Sequence, residues 1–158
     1  MRELILLRHA HADGHADGQA DAERPLSAVG RTEAAAAAAW LHGRGLQPDR
    51  ALCSPARRTR ETLDVVAAGF EPFEVRFEPS IYEATPGTLA GLVDAHRDAG
   101  RLLLVGHNPG LERLLSLMHS GQTSEYRGMP PAGIAVLAFA AGSAIEPGVA
   151  TLSAFWWP

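Results

Sequence analysis

Two histidines and a pair of arginines sit at places in the chain where they could handle a phosphoryl group. Arg8-His9 ends the run Leu4-Ile5-Leu6-Leu7, and His107 ends the run Leu102-Leu103-Leu104-Val105-Gly106. Between them, Arg57 and Arg58 follow Ser54-Pro55. Neutral imidazole is a competent phosphoryl acceptor near neutral pH. Guanidinium forks match phosphate oxygens two at a time. A single histidine at a strand end is more often a structural hydrogen-bonding residue. The joint occurrence of Arg-His, Ser-Pro-x-x-Arg and Gly-His-Asn-Pro-Gly in one chain makes phosphoryl transfer the better reading.

These residues need a scaffold that brings distant chain segments together. Glu3–Arg8 and Arg101–Gly106 read as buried strands, each an unbroken aliphatic run. Arg50–Cys53 and Glu74–Phe77 read as shorter strands, and Gly133–Phe139 and Ala150–Phe155 as late ones. Helices are expected over Ala28–Arg44, capped by Ser27, and over Pro55–Ala68, with Ser54 as cap and Pro55 first. Two more are expected over Pro86–Asp98, capped by Thr85, and Pro109–Met118, capped by Asn108. Alternating strands and helices predict an α/β fold: one three-layer α/β/α sandwich around a largely parallel sheet, a single domain over residues 1–158. Ligands of such sheets bind beyond the carboxyl ends of the strands, where His9, Ser54 and His107 lie.

Composition limits the alternatives. The chain has 158 residues, 46% apolar and 20% charged, which suits a globular domain with a full core. A net charge of −4 argues against nucleic acid as a partner. No apolar run is long enough for a membrane span, and the first residues read as a strand rather than a signal peptide. One cysteine, Cys53, permits no internal disulfide. A reducing, cytoplasmic location is expected.

Four collinear blocks resemble the histidine phosphatase superfamily, the phosphoglycerate mutase-like fold, and within it the small SixA-type phosphohistidine phosphatases. They are Leu7-Arg8-His9-Ala10, Arg24-Pro25-Leu26-Ser27 with Gly30-Arg31, Ser54-Pro55-Ala56-Arg57-Arg58-Thr59-Arg60-Glu61-Thr62, and Leu104-Val105-Gly106-His107-Asn108-Pro109-Gly110. The resemblance implies that His9 is the nucleophile, that Arg8 and Arg58 clamp the phosphoryl oxygens, and that His107 stabilises charge from the opposite side. The family spacing selects Arg58. So does helical geometry, which puts Ser54 and Arg58, four apart, on one face. Arg57 is then a rim charge. The resemblance further implies a carboxylate proton donor between the second and last blocks, and Glu83 occupies that interval. Alternatively, Glu83 is an acid favoured near a helix start. Two departures stand out: Ala10 replaces the usual glycine, and Thr59-Arg60-Glu61-Thr62 replaces Ala-x-Gln-Thr.

The expected chemistry needs no metal and no cofactor. Only about forty residues separate Thr62 from Arg101, which leaves little room for the large lid that bigger relatives insert there. A shallow, open pocket would suit phosphohistidine on a signalling protein such as a phosphotransfer domain. A small phosphoester, of a sugar or nucleoside, is the alternative substrate, and a non-catalytic phosphate-binding module is the alternative role. His11, Asp13, His15 and Asp17 alternate like metal ligands, but in an Ala/Gly/Asp-rich stretch, residues 10–24, that reads as an exposed loop. In that loop Arg24 reads as an ordering residue, with Asp21 or Arg24 able to assist at the site. His42, His96 and His119 read as surface positions and Trp40 as core. Trp156-Trp157 suits either packing at the sheet edge or an exposed patch.

Overall fold

The computed structural model describes residues 1–123 and 128–158. Its strands are β1 (Glu3–Arg8), β2 (Arg50–Cys53), β3 (Glu74–Phe77), β4 (Arg101–Gly106), β5 (Ile134–Ala138) and β6 (Thr151–Trp156). Its helices are α1 (Ala28–Gly43), α2 (Arg57–Ala67), α3 (Pro86–Ala95) and α4 (Gly110–Ser120). The strands form one sheet in the order β3-β2-β4-β1-β5-β6. The first four run parallel, and β5 runs antiparallel to both β1 and β6. The sheet is therefore largely parallel, as expected, and the turnover comes at β5.

Side chains alternate across each strand, and the core divides accordingly. Leu4, Leu6, Leu52, Leu102 and Leu104 face α3 and α4, with Leu89, Leu111 and Leu114. Ile5, Leu7, Ala51, Leu103 and Val105 face α1 and α2, with Ala34, Leu41 and Leu63. Both faces of β1 and β4 are thus covered, which is why their sequences show no polar break. Each fully buried aliphatic contributes roughly 1.5–3 kcal/mol. The alanines of α1 (Ala34, Ala37, Ala38) allow that helix to lie close to the sheet and to α2.

Helix boundaries follow local chemistry, with three corrections to the sequence reading. Ser27 and Thr85 cap α1 and α3 by accepting from Gly30 and Thr88 amides. Ser54 does not cap α2. That helix starts at Arg57 with Ala56 in the cap position, and Thr59 Oγ1 instead donates to the Ser54 and Ala56 carbonyls. Asn108 does not cap α4, because its Nδ2 donates to the Met129 carbonyl and Pro109 takes the cap position. The third helix stops at Ala95, short of Asp98, whose carboxylate is drawn to Arg50. His96, expected at the surface, is buried beside Arg50. Trp40 is half-buried and stacks on Trp156, with ring centroids 5.6 Å apart, so Trp156 packs on the sheet edge while Trp157 stays exposed.

The segment after β1 is more ordered than its composition suggested. Ala10 and Ala12 are buried, Ala12 bridges to Leu26, and Asp21–Glu23 forms one 3-10 turn. Gly30 makes this path available: a Cβ there would stand 1.9 Å from the His11 carbonyl oxygen. Among the described residues no helix is long and apolar enough to cross a membrane.

Candidate active site

Strand register builds the site. Arg8 pairs with Gly106 and Cys53 with Val105, so β1, β2 and β4 end level. His9, Ser54 and His107 therefore emerge side by side. The His9 amide donates to the Gly106 carbonyl, and the Ser54 amide donates to the Val105 carbonyl, each at 3.1 Å.

The His9 ring is fixed in one tautomer. Its Nδ1 lies 2.7 Å from the Ala10 carbonyl oxygen. A carbonyl can only accept, so Nδ1 carries the proton and Nε2 keeps its lone pair. Burial, reinforced by the charges of Arg58 and Arg8, lowers its pKa to about 4. The ring is neutral at pH 7, the state a nucleophile requires. Ala10 itself has no left-handed backbone, and its amide donates to Thr62 Oγ1 at 3.1 Å. Alanine in place of glycine is thus accommodated without strain. The Glu61 departure is also accommodated, because its carboxylate accepts from the Leu26 amide.

His107 faces His9, with ring centroids 5.2 Å apart. Its Nε2 pairs with Ser54 Oγ at 2.7 Å, which fixes the ring plane. Burial first, then His9 and Arg58, lower its pKa to about 3. Two half-buried neutral imidazoles beside arginines form a site that carries positive charge without protonated histidine.

The arginines arrive by different routes. Arg8 donates through Nη1 to the Met129 carbonyl at 2.8 Å, on the chain entering β5. Arg58 is buried and reaches the same cavity as His9, whereas the Arg57 side chain is half exposed and lies 3.6 Å from Glu61. The helical argument for Arg58 assumed that Ser54 lies within the helix. It does not, and what turns Arg58 inward is its place in the first turn of α2, next to buried Thr59 and Thr62.

Asp21 is the organising anion. Arg58 donates Nη1 to its backbone carbonyl at 2.9 Å and Nη2 to its carboxylate at 3.1 Å. Arg24 Nη1 donates to the other carboxylate oxygen at 3.0 Å, and the Tyr82 hydroxyl donates to Oδ2. The Tyr82 bond first, then Arg24 and Arg58, hold this carboxyl well below the usual range, while Asp21 in turn pushes the Tyr82 phenol up. The Tyr82 and His107 rings stand nearly perpendicular, with centroids 5.4 Å apart. Arg24 also orders the loop, donating Nε to the Asp13 carbonyl at 2.7 Å. The sequence reading named Asp21 only in passing and missed Tyr82. The signal for Asp21 was its spacing, three residues ahead of Arg24.

Glu83 lies on the cavity wall, exposed, with a left-handed φ of 56°. It precedes Thr85, the cap of α3, so it is outside the helix and its position is not that of a first-turn acid. Gly110 brings the start of α4 against this segment: a Cβ there would stand 2.8 Å from the Ala84 carbonyl oxygen. The cavity encloses about 570 Å³, within the range of small-molecule sites. The alternating loop residues do not converge. His11 Nδ1 pairs with Ser27 Oγ at 2.7 Å, and His15 Nε2 lies 3.5 Å from Asp21. Among the described residues no group of three His, Cys, Asp or Glu side chains could hold a metal ion.

The sheet thus brings Arg8-His9, at the end of β1, beside His107, just past the end of the neighbouring β4. The family model of the histidine phosphatase superfamily (branch 1) matches residues 4–101, and the chain belongs to that family. A chloroplastic protein of Arabidopsis thaliana is 37% identical over 128 residues, covering 74% of this chain; this chain spans 59% of that protein. A crystal structure of a candidate phosphohistidine phosphatase SixA from Agrobacterium tumefaciens is 31% identical, with a TM-score of 0.86, covering 99% of this chain and 98% of the other. Two structures share the fold at lower identity. One is the protein histidine phosphatase SixA complexed with tungstate: 23% identity, TM-score 0.83, 99% and 97% of the two chains. The other is a candidate α-ribazole-5′-P phosphatase from Escherichia coli: 17% identity, TM-score 0.75, 98% and 96%.

Proposed function

We propose that the protein is a metal-independent phosphatase that works through a phosphohistidine at position 9, and that its substrate is phosphohistidine on a signalling protein. The observation that carries this reading is the 2.7 Å bond from His9 Nδ1 to the Ala10 carbonyl, which leaves a neutral Nε2 with its lone pair free beside two arginines. In the first step Nε2 attacks phosphorus in line, and the bond from phosphorus to the leaving atom breaks as the new N–P bond forms. Arg8 and Arg58 hold the equatorial oxygens, and His107 donates to them from the opposite side. Glu83, in its protonated form, donates its proton to the leaving group. In the second step water attacks phosphorus and gives a proton to the Glu83 carboxylate, the N–P bond breaks, inorganic phosphate departs, and His9 returns to its neutral tautomer.

Phosphohistidine is favoured because its P–N bond is labile and asks little of the acid. Glu83 is exposed, and such a substrate tolerates a weak proton donor. The likeness to the SixA structure from Agrobacterium tumefaciens supports the same choice. A small phosphoester is the second reading, favoured by the 570 Å³ cavity, which holds more than a phosphoryl group. The test is phosphate release from a phosphohistidine protein, in excess chelator, by the wild type and by His9→Ala. Release by the wild type alone is expected. Release by both would remove His9 as nucleophile, and release by neither would move the substrate to esters.

A further inference from the structure

The cavity has lining residues that the phosphoryl chemistry does not use. Besides Arg8, His9, Arg58 and His107, its wall includes Thr85, Pro86, Pro109 and Arg113. Four arginines face this cavity, and three are engaged. Arg8 is tied to Met129, Arg24 to Asp13 and Asp21, and Arg58 to Asp21. Arg113 is exposed on α4 and makes no side-chain hydrogen bond or ion pair among the described residues. Helix geometry explains why it reaches the cavity. Residue 113 is four beyond Pro109 and three beyond Gly110, so all three share a face. Its Cβ leans toward the amino end of α4, which opens onto the cavity. The acid nearest in the sequence of the wall, Glu83, forms no ion pair with it within 4 Å, and Asp21 is already satisfied by Arg24, Arg58 and Tyr82.

We infer that Arg113 binds a carboxylate carried on the leaving-group side of the substrate, so the site selects phosphoryl compounds with a second negative charge. This rests on the proposed phosphatase reading and narrows its substrate class. A guanidinium with its fork open to solvent at a cavity wall is suited to bidentate capture of a carboxylate. The carboxylate can come from an acidic side chain beside a phosphohistidine or from a small phosphorylated acid. The two sources share the chemistry and differ in the test.

The test uses 3-phosphoglycerate and glycerol 3-phosphate, which differ only in a carboxylate replacing a hydroxymethyl group. Equilibrium binding is measured on His9→Ala, with and without Arg113→Gln, so the result does not depend on turnover. The carboxylate compound should bind about tenfold more tightly, the order of one charge-assisted contact. Arg113→Gln should bring the ratio near one, and Arg113→Lys should restore part of it. A parallel arm compares hydrolysis of a phosphohistidine protein by the wild type and by Arg113→Gln. A several-fold fall in kcat/KM there assigns the carboxylate to the protein partner. No fall, with the small-molecule ratio lost, assigns it to a phosphorylated acid. If neither the binding ratio nor the protein rate responds to Arg113→Gln, the inference is overturned. The phosphatase reading would be unaffected, since its own test is the His9→Ala comparison.

Discussion

The Asp21 carboxylate and the Arg58 guanidinium meet at 3.1 Å, although 37 residues separate them in the chain. The contact joins the loop that follows His9, the proposed nucleophile, to the helix that carries Arg58, the proposed phosphoryl clamp. Asp21 touches neither His9 nor His107 by a hydrogen bond. Its action is on position, through Arg58 and Tyr82. Asp21→Asn keeps the shape and removes the charge that holds both. We expect kcat/KM to fall by about tenfold or more, since small misplacements of a clamp are costly. The fall should lie mostly in kcat, and Asp21→Glu should recover part of it. An unchanged kcat would make Asp21 a loop anchor only.

The two neighbouring arginines should separate cleanly. Arg58 is buried within the cavity and Arg57 is half exposed beside Glu61. Replacing Arg58 with lysine removes a planar fork that an ammonium cannot reproduce. The expected loss is about a hundredfold in kcat/KM, the order of one lost transition-state contact. Arg57→Lys should stay within about twofold, as exposed ion pairs contribute little. Steady-state kinetics on one substrate decide it, and equal losses would sink the assignment.

Acid should destabilise this fold in a defined window. His9 and His107 have pKa values of about 4 and about 3 when folded and near 6.5 when unfolded. Between those limits the unfolded chain binds more protons than the native one. Stability therefore rises with pH from about 3 to about 6.5 and is lost as pH falls through that range. Asp21, also held low, adds to the loss at the acid end. Denaturant midpoints for the wild type and a His107→Gln variant, measured at pH 7 and pH 5, check this. The wild type should lose more between the two pH values than the variant, and equal losses would contradict the buried neutral state of His107.

Much of the architecture was legible because it follows from runs and periods. Four unbroken aliphatics between polar flanks read as a strand covered on both faces, and ligands of such sheets bind beyond the strand ends. The convergence of Arg8, His9 and His107 at one sheet edge was legible that way. What could not be read was side-chain direction in irregular segments. Ser54 looked like a helix cap because serine before proline usually is one. It turned instead to His107, because β2 and β4 end in register. Asn108 was taken by the Met129 carbonyl, a contact spanning 21 residues of sequence. The loop over residues 10–24 looked featureless because its order comes from Arg24 and Gly30 rather than from an apolar period. The antiparallel return at β5 was likewise invisible, since hydrophobic alternation carries no direction.

β1 lies inside the sheet, hydrogen-bonded to β4 on one edge and β5 on the other, with helices over both faces. Its amides cannot reach solvent by fraying, so their hydrogen exchange should require opening of the whole sheet. His9 is anchored to the end of that strand by its own backbone bonds to Gly106 and Ala132. The proposed nucleophile therefore sits on the slowest-opening part of the molecule, while Asp21 and Glu83 sit on loops that can open separately. Heat should loosen the substrate grip before it displaces the reacting nitrogen.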